Sequence, residues 1–252
     1  ALVLNKAITS ETRVDWVERE LKVMFLQAEE AVLAELDPKR QFAALVELFY
    51  GTWGFRGDCE AYFDSNNGFI DKVLERRKGV PVSLGALLLY FGRRLDFPLQ
   101  PVTFPTQLLI QVQWPGESPL YLNPFDGEYV SRHTLHSWLI GHKGPFSNLE
   151  PAHLAVSDHP TIIGRWLALL KSALMREERY TLALKCTDLA LTFVPDDPYE
   201  IRDRGFIYQQ LECHQIAMSD YQYFIENCPD DPAADLLKNQ MHMLRSAPVT
   251  LH

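Results

Sequence analysis

Pro195-Asp196-Asp197-Pro198 recurs as Pro229-Asp230-Asp231-Pro232, and this repetition decides the architecture of the C-terminal part of the chain. The two copies are offset by 34 residues, and the same offset relates Ala183 to Ala217. A fixed period of this length is typical of arrays that repeat one pair of helices. In each copy the first proline ends a helix, and the Asp-Asp-Pro turn that follows caps the next one.

The small residues of this segment predict that antiparallel helices approach each other closely. The second copy has small, aromatic and turn residues at the positions of a 34-residue helix-turn-helix repeat: Gly205, Tyr208, Ala217, Tyr221 and Pro229. The segment therefore resembles the tetratricopeptide family. That resemblance implies two repeats and a terminal helix in residues 156–252, whereas an unrelated four-helix bundle is the alternative.

Tetratricopeptide repeats usually present the first helix of each unit to a concave groove, and this resemblance implies a partner-binding surface. Helical spacing and the 34-residue shift place six side chains there: Arg165, Met175, Tyr199, Arg202, Phe206 and Gln209. Aromatic and arginine side chains are enriched among the residues that dominate protein interfaces. We therefore expect a protein or peptide partner. The alternative is that the face packs against the rest of the chain.

The order of helical and extended segments in residues 1–155 predicts a separate α+β domain. Residues 12–36 have apolar side chains at helical spacing, and Phe69–Lys78 is predicted as a helix that Gly79 ends. An apolar helix, Val82–Leu95, begins after Pro81. Short extended segments separated by prolines then follow at Leu99–Phe104, Leu108–Val112 and Leu120–Leu122. Helices followed by an antiparallel sheet define the α+β class.

The order of a buried helix and two strands is that of papain-like and transglutaminase cores. Several motifs narrow the resemblance: Trp53-Gly54-Phe55, Asn67-Gly68-Phe69, Val73–Pro81, Arg93-Arg94-Leu95, Phe104-Pro105 and Asn123–Gly127. Over roughly residues 12–245 the chain resembles the transglutaminase-like, tetratricopeptide-containing bacterial proteins of the SirB type. The resemblance implies a degenerate transglutaminase/papain-like core with N-terminal helices, followed by an all-α tetratricopeptide array.

This resemblance also allows the catalytic positions to be compared one by one. It places Ser83 where the nucleophilic cysteine would stand, Gln107 at the histidine and Asn123 at the aspartate. A serine hydroxyl is a poor nucleophile unless a base takes its proton, and a glutamine amide cannot act as that base. Asparagine cannot stabilise an imidazolium. The three residues therefore predict a vestigial triad and a pseudoenzyme without catalytic residues.

The predicted function is that of a non-catalytic protein-interaction or regulatory protein. A buried Ser83, Gln107 and Asn123 trio would satisfy its own donors and acceptors and would hold the helix against the sheet. One alternative is a serine-dependent hydrolase or acyltransferase centred on Ser83. Another is a small-molecule sensor that uses the vestigial pocket.

Composition excludes several classes of partner and location. The chain has 24 Lys and Arg against 33 Asp and Glu, a formal net charge of −9, so we expect neither nucleic acid nor an anionic membrane as partner. The longest apolar stretch, Val82–Gly92, is far shorter than the roughly 20 residues of a membrane span. Four scattered cysteines without a CxxC motif, and a start without a signal peptide, predict a cytoplasmic protein.

No metal or cofactor is predicted. His133 and His136 are three residues apart, but no carboxylate or cysteine stands at a suitable spacing beside them. Two basic clusters, Lys72–Lys78 and Arg93-Arg94, lie where helices are predicted to end. Positive charge there complements the carbonyl end of a helix. The alternative interpretation is that these residues form a patch that binds an acidic partner.

Overall fold

The computed structural model describes residues 1–246, with side chains through Leu244. Within that range the chain forms two compact units, residues 1–166 and residues from 167 onward. The boundary lies inside one helix, His159–Arg176, whereas the sequence placed it between residues 155 and 156, just before this helix. The first two turns of this helix, through Trp166, belong to the first unit, where Trp166 donates a hydrogen bond to the Gly68 carbonyl at 3.0 Å.

The first unit combines helices with two small sheets. Its helices are α1 (Leu2–Ile8), α2 (Val14–Leu33), α3 (Pro38–Glu47), α4 (Ile70–Arg76), α5 (Pro81–Arg94), α6 (Arg132–Lys143) and the start of α7 (His159–Arg176). Its strands are β1 (Arg56–Gly57), β2 (Lys78–Gly79), β3 (Leu99–Thr103), β4 (Leu108–Val112) and β5 (Leu120–Leu122). This arrangement confirms the predicted α+β class.

The larger sheet is antiparallel in the order β3-β4-β5, as the three predicted extended segments required. Thr103 pairs with Leu108 across the tight connection, and Ile110 pairs with Leu122. Because neighbouring strands are antiparallel and consecutive in the chain, short loops can connect them.

Helices cover both faces of this sheet, so successive residues of β4 are buried. On one face α5 lies so close that a β carbon at Gly85 would come within 2.7 Å of Leu108. On the other face Leu135 and Leu139 of α6 pack into a cluster with Phe104. The sheet therefore fixes the position of the α5 N-terminus.

The helix predicted over Phe69–Lys78 is shorter than expected. It ends at Arg77, which adopts a left-handed conformation with φ of 55°. The next two residues form β2, which pairs in parallel with β1. Arg77 is held in place by an ion pair with Glu20 at 2.6 Å and by the ring of Phe55. Sequence periodicity missed this end because the contacts that stabilise it come from distant residues.

The second unit consists of helical pairs with the predicted period. After the end of α7 come α8 (Tyr180–Phe193), α9 (Pro198–Gln210), α10 (His214–Asn227) and α11 (Pro232–Ser246). Both ends of α10 lie 34 residues after the ends of α8. The left-handed turn residue also repeats, with φ of 59° at Glu178 and 60° at Glu212. The all-α repeat array is thus confirmed.

Caps and close packing in this unit follow from the repeated motif. Asp197 accepts hydrogen bonds from the backbone amides at the start of α9, and Asp231 does the same for Ala233 of α11. A β carbon at Gly205 would lie 2.9 Å from the ring of Tyr221. The small residue therefore allows α9 and α10 to approach.

Among residues 1–246, no helix combines the length and apolar character that would let it cross a bilayer.

Candidate functional site

Ser83 lies in the first turn of α5, and its position follows from the sequence around it. Pro81 starts the helix, because proline lacks the amide that a first helical turn leaves without an acceptor. Ser83 is the third residue of the helix, the position from which a side chain can reach back to the residue preceding the helix. Its exposed fraction is 0%.

The Ser83 hydroxyl is fully engaged with Val80. Its Oγ accepts a hydrogen bond from the Val80 amide at 3.1 Å and donates one to the Val80 carbonyl at 3.1 Å. A β carbon at Gly79 would come within 2.7 Å of this Oγ, so only glycine at position 79 leaves room for the Ser83 hydroxyl. We call this arrangement the Ser83 cap. Among residues 1–246, no basic side chain hydrogen-bonds to this hydroxyl.

Gln107 and Asn123 are hydrogen-bonded to each other. Gln107 Nε2 donates to Asn123 Oδ1 at 2.9 Å, and the amide of Phe125 donates to the same oxygen at 3.1 Å. Asn123 Nδ2 in turn donates to Asp126 Oδ2 at 3.0 Å. We call this row the Gln107–Asn123–Asp126 chain. Since Gln107 precedes β4 and Asn123 follows the antiparallel β5, this row joins two neighbouring strands at one end of the sheet.

The structure therefore splits the predicted trio. Gln107 and Asn123 are bonded to each other, whereas Ser83 hydrogen-bonds only to Val80 among the described residues. Asp126 is the neighbour that the sequence comparison missed. It stands in the quoted Asn123–Gly127 motif, three residues after Asn123, and a turn of that kind brings Asx side chains together.

Two tyrosines near these residues do not supply a base near neutral pH, and the carboxylate of Asp126 is hydrogen-bonded to Asn123. Burial, together with the negative charge of Asp126, raises the pKa of Tyr50, whose hydroxyl donates to the Pro124 carbonyl at 2.9 Å. Burial also raises the pKa of Tyr62, although Arg165 opposes that shift. Both phenols stay protonated. No histidine within residues 1–246 hydrogen-bonds to Ser83, Gln107 or Asn123.

The cysteines at positions 59, 186 and 213 are not placed to act as a nucleophile at the sheet. Cys186 is buried in the second unit, and burial raises its pKa to about 12, so the thiol stays protonated. Cys59 and Cys213 are exposed, and neither begins a helix packed on the sheet.

The predicted histidine pair falls at the start of α6. His136 Nε2 lies 2.9 Å from the carbonyl oxygen of Ser147. In the part of the chain that the structure describes, no group of three or more histidine, cysteine or acidic side chains is arranged to hold a metal ion.

A groove of about 510 Å³ lies in the second unit between α7 and α9. It is lined by Ala168, Lys171, Ser172, Met175, Arg176, Glu200, Asp203 and Phe206. Of the six predicted groove residues, Met175 and Phe206 line this groove. Phe206 is 40% exposed.

A buried ion cluster forms the floor of this groove. Lys171 Nζ is 2.9 Å from Glu200 and 2.6 Å from Asp203, and only 7% of its side chain is exposed. Lys171 is not among the six side chains that helical spacing predicts for the groove. Its position one helical turn from Ala168 and Met175 is the signal that would have placed it on the same face.

The other four predicted groove residues are engaged elsewhere. Arg165 belongs to the first unit, where it donates to the carbonyls of Phe104 and Pro105 at 2.9 and 3.4 Å. Arg202 bonds Asp203 at 2.7 Å and lies over the ring of Tyr199.

Tyr199 and Gln209 serve the packing of the repeats. Tyr199 donates its hydroxyl hydrogen bond to Asp231 at 3.0 Å, and its ring contacts Phe224. Gln209 accepts a hydrogen bond from the hydroxyl of Tyr221 at 2.8 Å.

Known proteins match both parts of the chain. Residues 15–168 match the transglutaminase-like superfamily, and residues 170–242 match the tetratricopeptide repeat. A UPF0162 protein of Vibrio cholerae is 67% identical, over 100% of this chain and 94% of that protein. Protein SirB1 of Salmonella typhimurium is 39% identical, over 100% of this chain and 93% of its own length. The UPF0162 protein YchA of Escherichia coli is 41% identical, over 92% and 87% respectively. No solved structure matches.

The contact between Asn123 and Asp126 predicts what a carboxylate at position 123 would do. Asn123→Asp removes the donor to Asp126 and brings two carboxylates to about 3 Å, so the folded-state pKa of the pair rises. We expect a loss of about 2–4 kcal/mol in the free energy of unfolding at pH 7.5. The loss should shrink as the pH falls through the raised pKa, where one carboxyl becomes a donor again. Urea denaturation at pH 7.5 and pH 5 measures both.

The matched control is the exchanged pair, Asn123→Asp with Asp126→Asn. It restores one amide and one carboxylate, and it should recover most of the lost stability. A single variant that is equally unstable at both pH values, or an exchanged pair no better than the single variant, would contradict the assignment of this contact.

Proposed function

This chain belongs to the family of transglutaminase-like proteins with tetratricopeptide repeats that includes SirB1 and the UPF0162 proteins, and from that premise we propose that it is a non-catalytic interaction protein. In this proposal the transglutaminase-like unit is a pseudoenzyme, and the repeat unit binds a protein or peptide in the cytoplasm.

The Ser83 cap is the observation that carries the proposal. A nucleophile must be free to lose its proton to a base while it attacks, yet both hydrogen-bonding functions of this hydroxyl are used on Val80. Its 0% exposed fraction also keeps substrate away. At the two remaining positions the Gln107–Asn123–Asp126 chain holds neutral amides, and these fasten the sheet instead of moving protons.

The groove in the repeat unit supports the binding role. Phe206 and Met175 give it an apolar wall, and exposed aromatic side chains are typical anchors of peptide recognition. The charges of its lining balance, because Lys171 and Arg176 stand against Glu200 and Asp203. The groove therefore fits a peptide that inserts an apolar side chain between Phe206 and Met175.

A serine-dependent hydrolase or acyltransferase is the competing function. It would require α5 to open at its first turn, break both bonds of the Ser83 cap and bring a base from elsewhere. A sensor that binds a small molecule at the vestigial positions would likewise have to displace the Gln107–Asn123 hydrogen bond.

A serine-directed fluorophosphonate separates the pseudoenzyme from the hydrolase. We expect no mass increase at Ser83 in the native protein, because the hydroxyl is buried and no base activates it. Intact-protein mass spectrometry measures the labelling, with a serine hydrolase of known reactivity as positive control. Stoichiometric labelling that Ser83→Ala abolishes would overturn the pseudoenzyme assignment.

Photocrosslinking tests the groove. A benzoylphenylalanine introduced at position 206 should crosslink one partner in cells, and Met175→Ala should suppress that crosslink. For the isolated partner, Phe206→Ala should weaken binding about tenfold or more, since a truncated anchor costs more than about 1.4 kcal/mol. The melting temperature should hardly change, because Phe206 is 40% exposed.

Phe193 provides the matched control, because it is a phenylalanine of the same unit, is 49% exposed and lies outside the groove. The same photoreactive residue at position 193 should not capture the partner, and Phe193→Ala should leave affinity unchanged. Equal crosslinking at both positions, or equal effects of the two alanine variants, would contradict a specific groove.

A further inference from the structure

The first unit contains a cavity of about 450 Å³ that none of the functions above uses. It lies between α5 and the first two turns of α7, and α1 contributes one wall. The apolar lining includes Leu4, Ala86, Leu89, Ile162, Ile163 and Trp166. Its volume falls within the range of about 300–1,000 Å³ that is usual for small-molecule sites.

The walls of this cavity are held in place by buried hydrogen bonds. Trp166 is 2% exposed and donates its indole hydrogen bond to the Gly68 carbonyl at 3.0 Å. Asn5, beside Leu4, donates to the same carbonyl at 3.1 Å and accepts from the Ile70 amide at 2.9 Å. The cavity is thus formed before any ligand arrives, which lowers the entropy lost on binding.

The rim of the cavity is cationic. Arg93, Arg94 and His159 belong to the lining, and Arg93 Nη1 lies 3.4 Å from His159 Nε2. The Arg94 guanidinium lies 4.3 Å above the centre of the Phe25 ring, and it is also bonded to the Tyr90 hydroxyl. Two arginines and a helix N-terminus, where α7 begins at His159, therefore surround one opening.

These two arginines differ from the other basic cluster that the sequence singled out. Arg76 and Arg77 form ion pairs with Asp58 and Glu20, both at 2.6 Å. Within residues 1–246, neither Arg93 nor Arg94 forms an ion pair with a carboxylate. The acidic neighbour of His159, Asp158, is occupied in capping the first turn of α7 through the Thr161 amide.

We propose that this cavity binds an amphipathic carboxylate, with its apolar chain between α5 and α7 and its head group at Arg93 and Arg94. Apolar walls require a hydrophobic body. At the mouth, two guanidinium groups without a carboxylate partner among residues 1–246 select an anion of carboxylate or phosphate geometry. The chain's net charge of −9 gives no general attraction for anions, so recognition depends on this local pair. A free medium-chain carboxylate is the ligand that fits both features.

Isothermal titration calorimetry on the whole chain tests the site with sodium decanoate as probe. We expect one decanoate per protein, and decan-1-ol, which has the same tail and no charge, should bind at least tenfold more weakly. Arg93→Gln with Arg94→Gln should weaken decanoate binding about tenfold or more, because each charge-assisted hydrogen bond is lost. Arg40→Gln, which removes an exposed charge elsewhere in the unit, should have no effect.

A second variant tests the apolar part. Ala86→Phe should fill the cavity and abolish binding, and a melting curve shows whether the variant folds. Co-sedimentation with phosphatidylglycerol vesicles distinguishes a free ligand from a lipid head group, and the double arginine variant should sediment like the parent protein. The proposal is overturned by absence of decanoate binding, by equal binding of decanoate and decanol, or by vesicle binding that depends on Arg93 and Arg94 while decanoate gives no heat.

Discussion

The two hydrogen bonds between Ser83 and Val80 are the interaction on which this account of the protein depends. A fully buried hydroxyl has to find a donor and an acceptor within the fold, and the backbone of Val80 supplies both. The bonds close the first turn of α5, the helix that packs along the sheet. Gly79 and Pro81 serve the same turn, since one makes room for the hydroxyl and the other starts the helix. Ser83 is therefore a helix cap in this structure.

Polar side chains also hold the end of the sheet together. Gln107, Asn123 and Asp126 bond in series and hold the start of β4 to the turn after β5. The carboxylate of Asp126 accepts a hydrogen bond from Asn123, and among residues 1–246 no histidine hydrogen-bonds to Gln107 or Asn123. In the repeat unit, Lys171 bonds both Glu200 and Asp203 in one ion cluster under the groove. Polar side chains in all three places stabilise packing.

Local and periodic features could be predicted from the sequence. The 34-residue period, the three strands and the Asp caps depend on residues close together in the chain, and the structure confirms them. The family resemblance is confirmed as well. The Ser83 cap itself has a sequence signal, because a serine at the third position of a helix that begins with proline is spaced to reach back.

The remaining features could not be predicted because they depend on contacts with residues far away in the sequence. Arg165 bonds Phe104 and Pro105, more than fifty positions away, and no helical spacing reveals that. Arg77 ends α4 because of Glu20 and Phe55, which also lie outside α4 and its flanking turns. Arg93 and Arg94 were interpreted as helix-end charges, yet their location at an apolar cavity depends on how α5 and α7 pack. Periodicity predicts the face of a helix, and only the packing determines what that face meets.

The free energy of unfolding of Ser83→Ala is the measurement that tests the central claim most directly. If the hydroxyl is a structural cap, its removal leaves the buried Val80 amide without an acceptor and should cost about 2 kcal/mol in urea denaturation, while partner binding stays unchanged. Ser137→Ala, on the exposed face of α6, should be neutral by comparison. An unchanged free energy of unfolding for Ser83→Ala, with loss of a biological activity, would contradict the account.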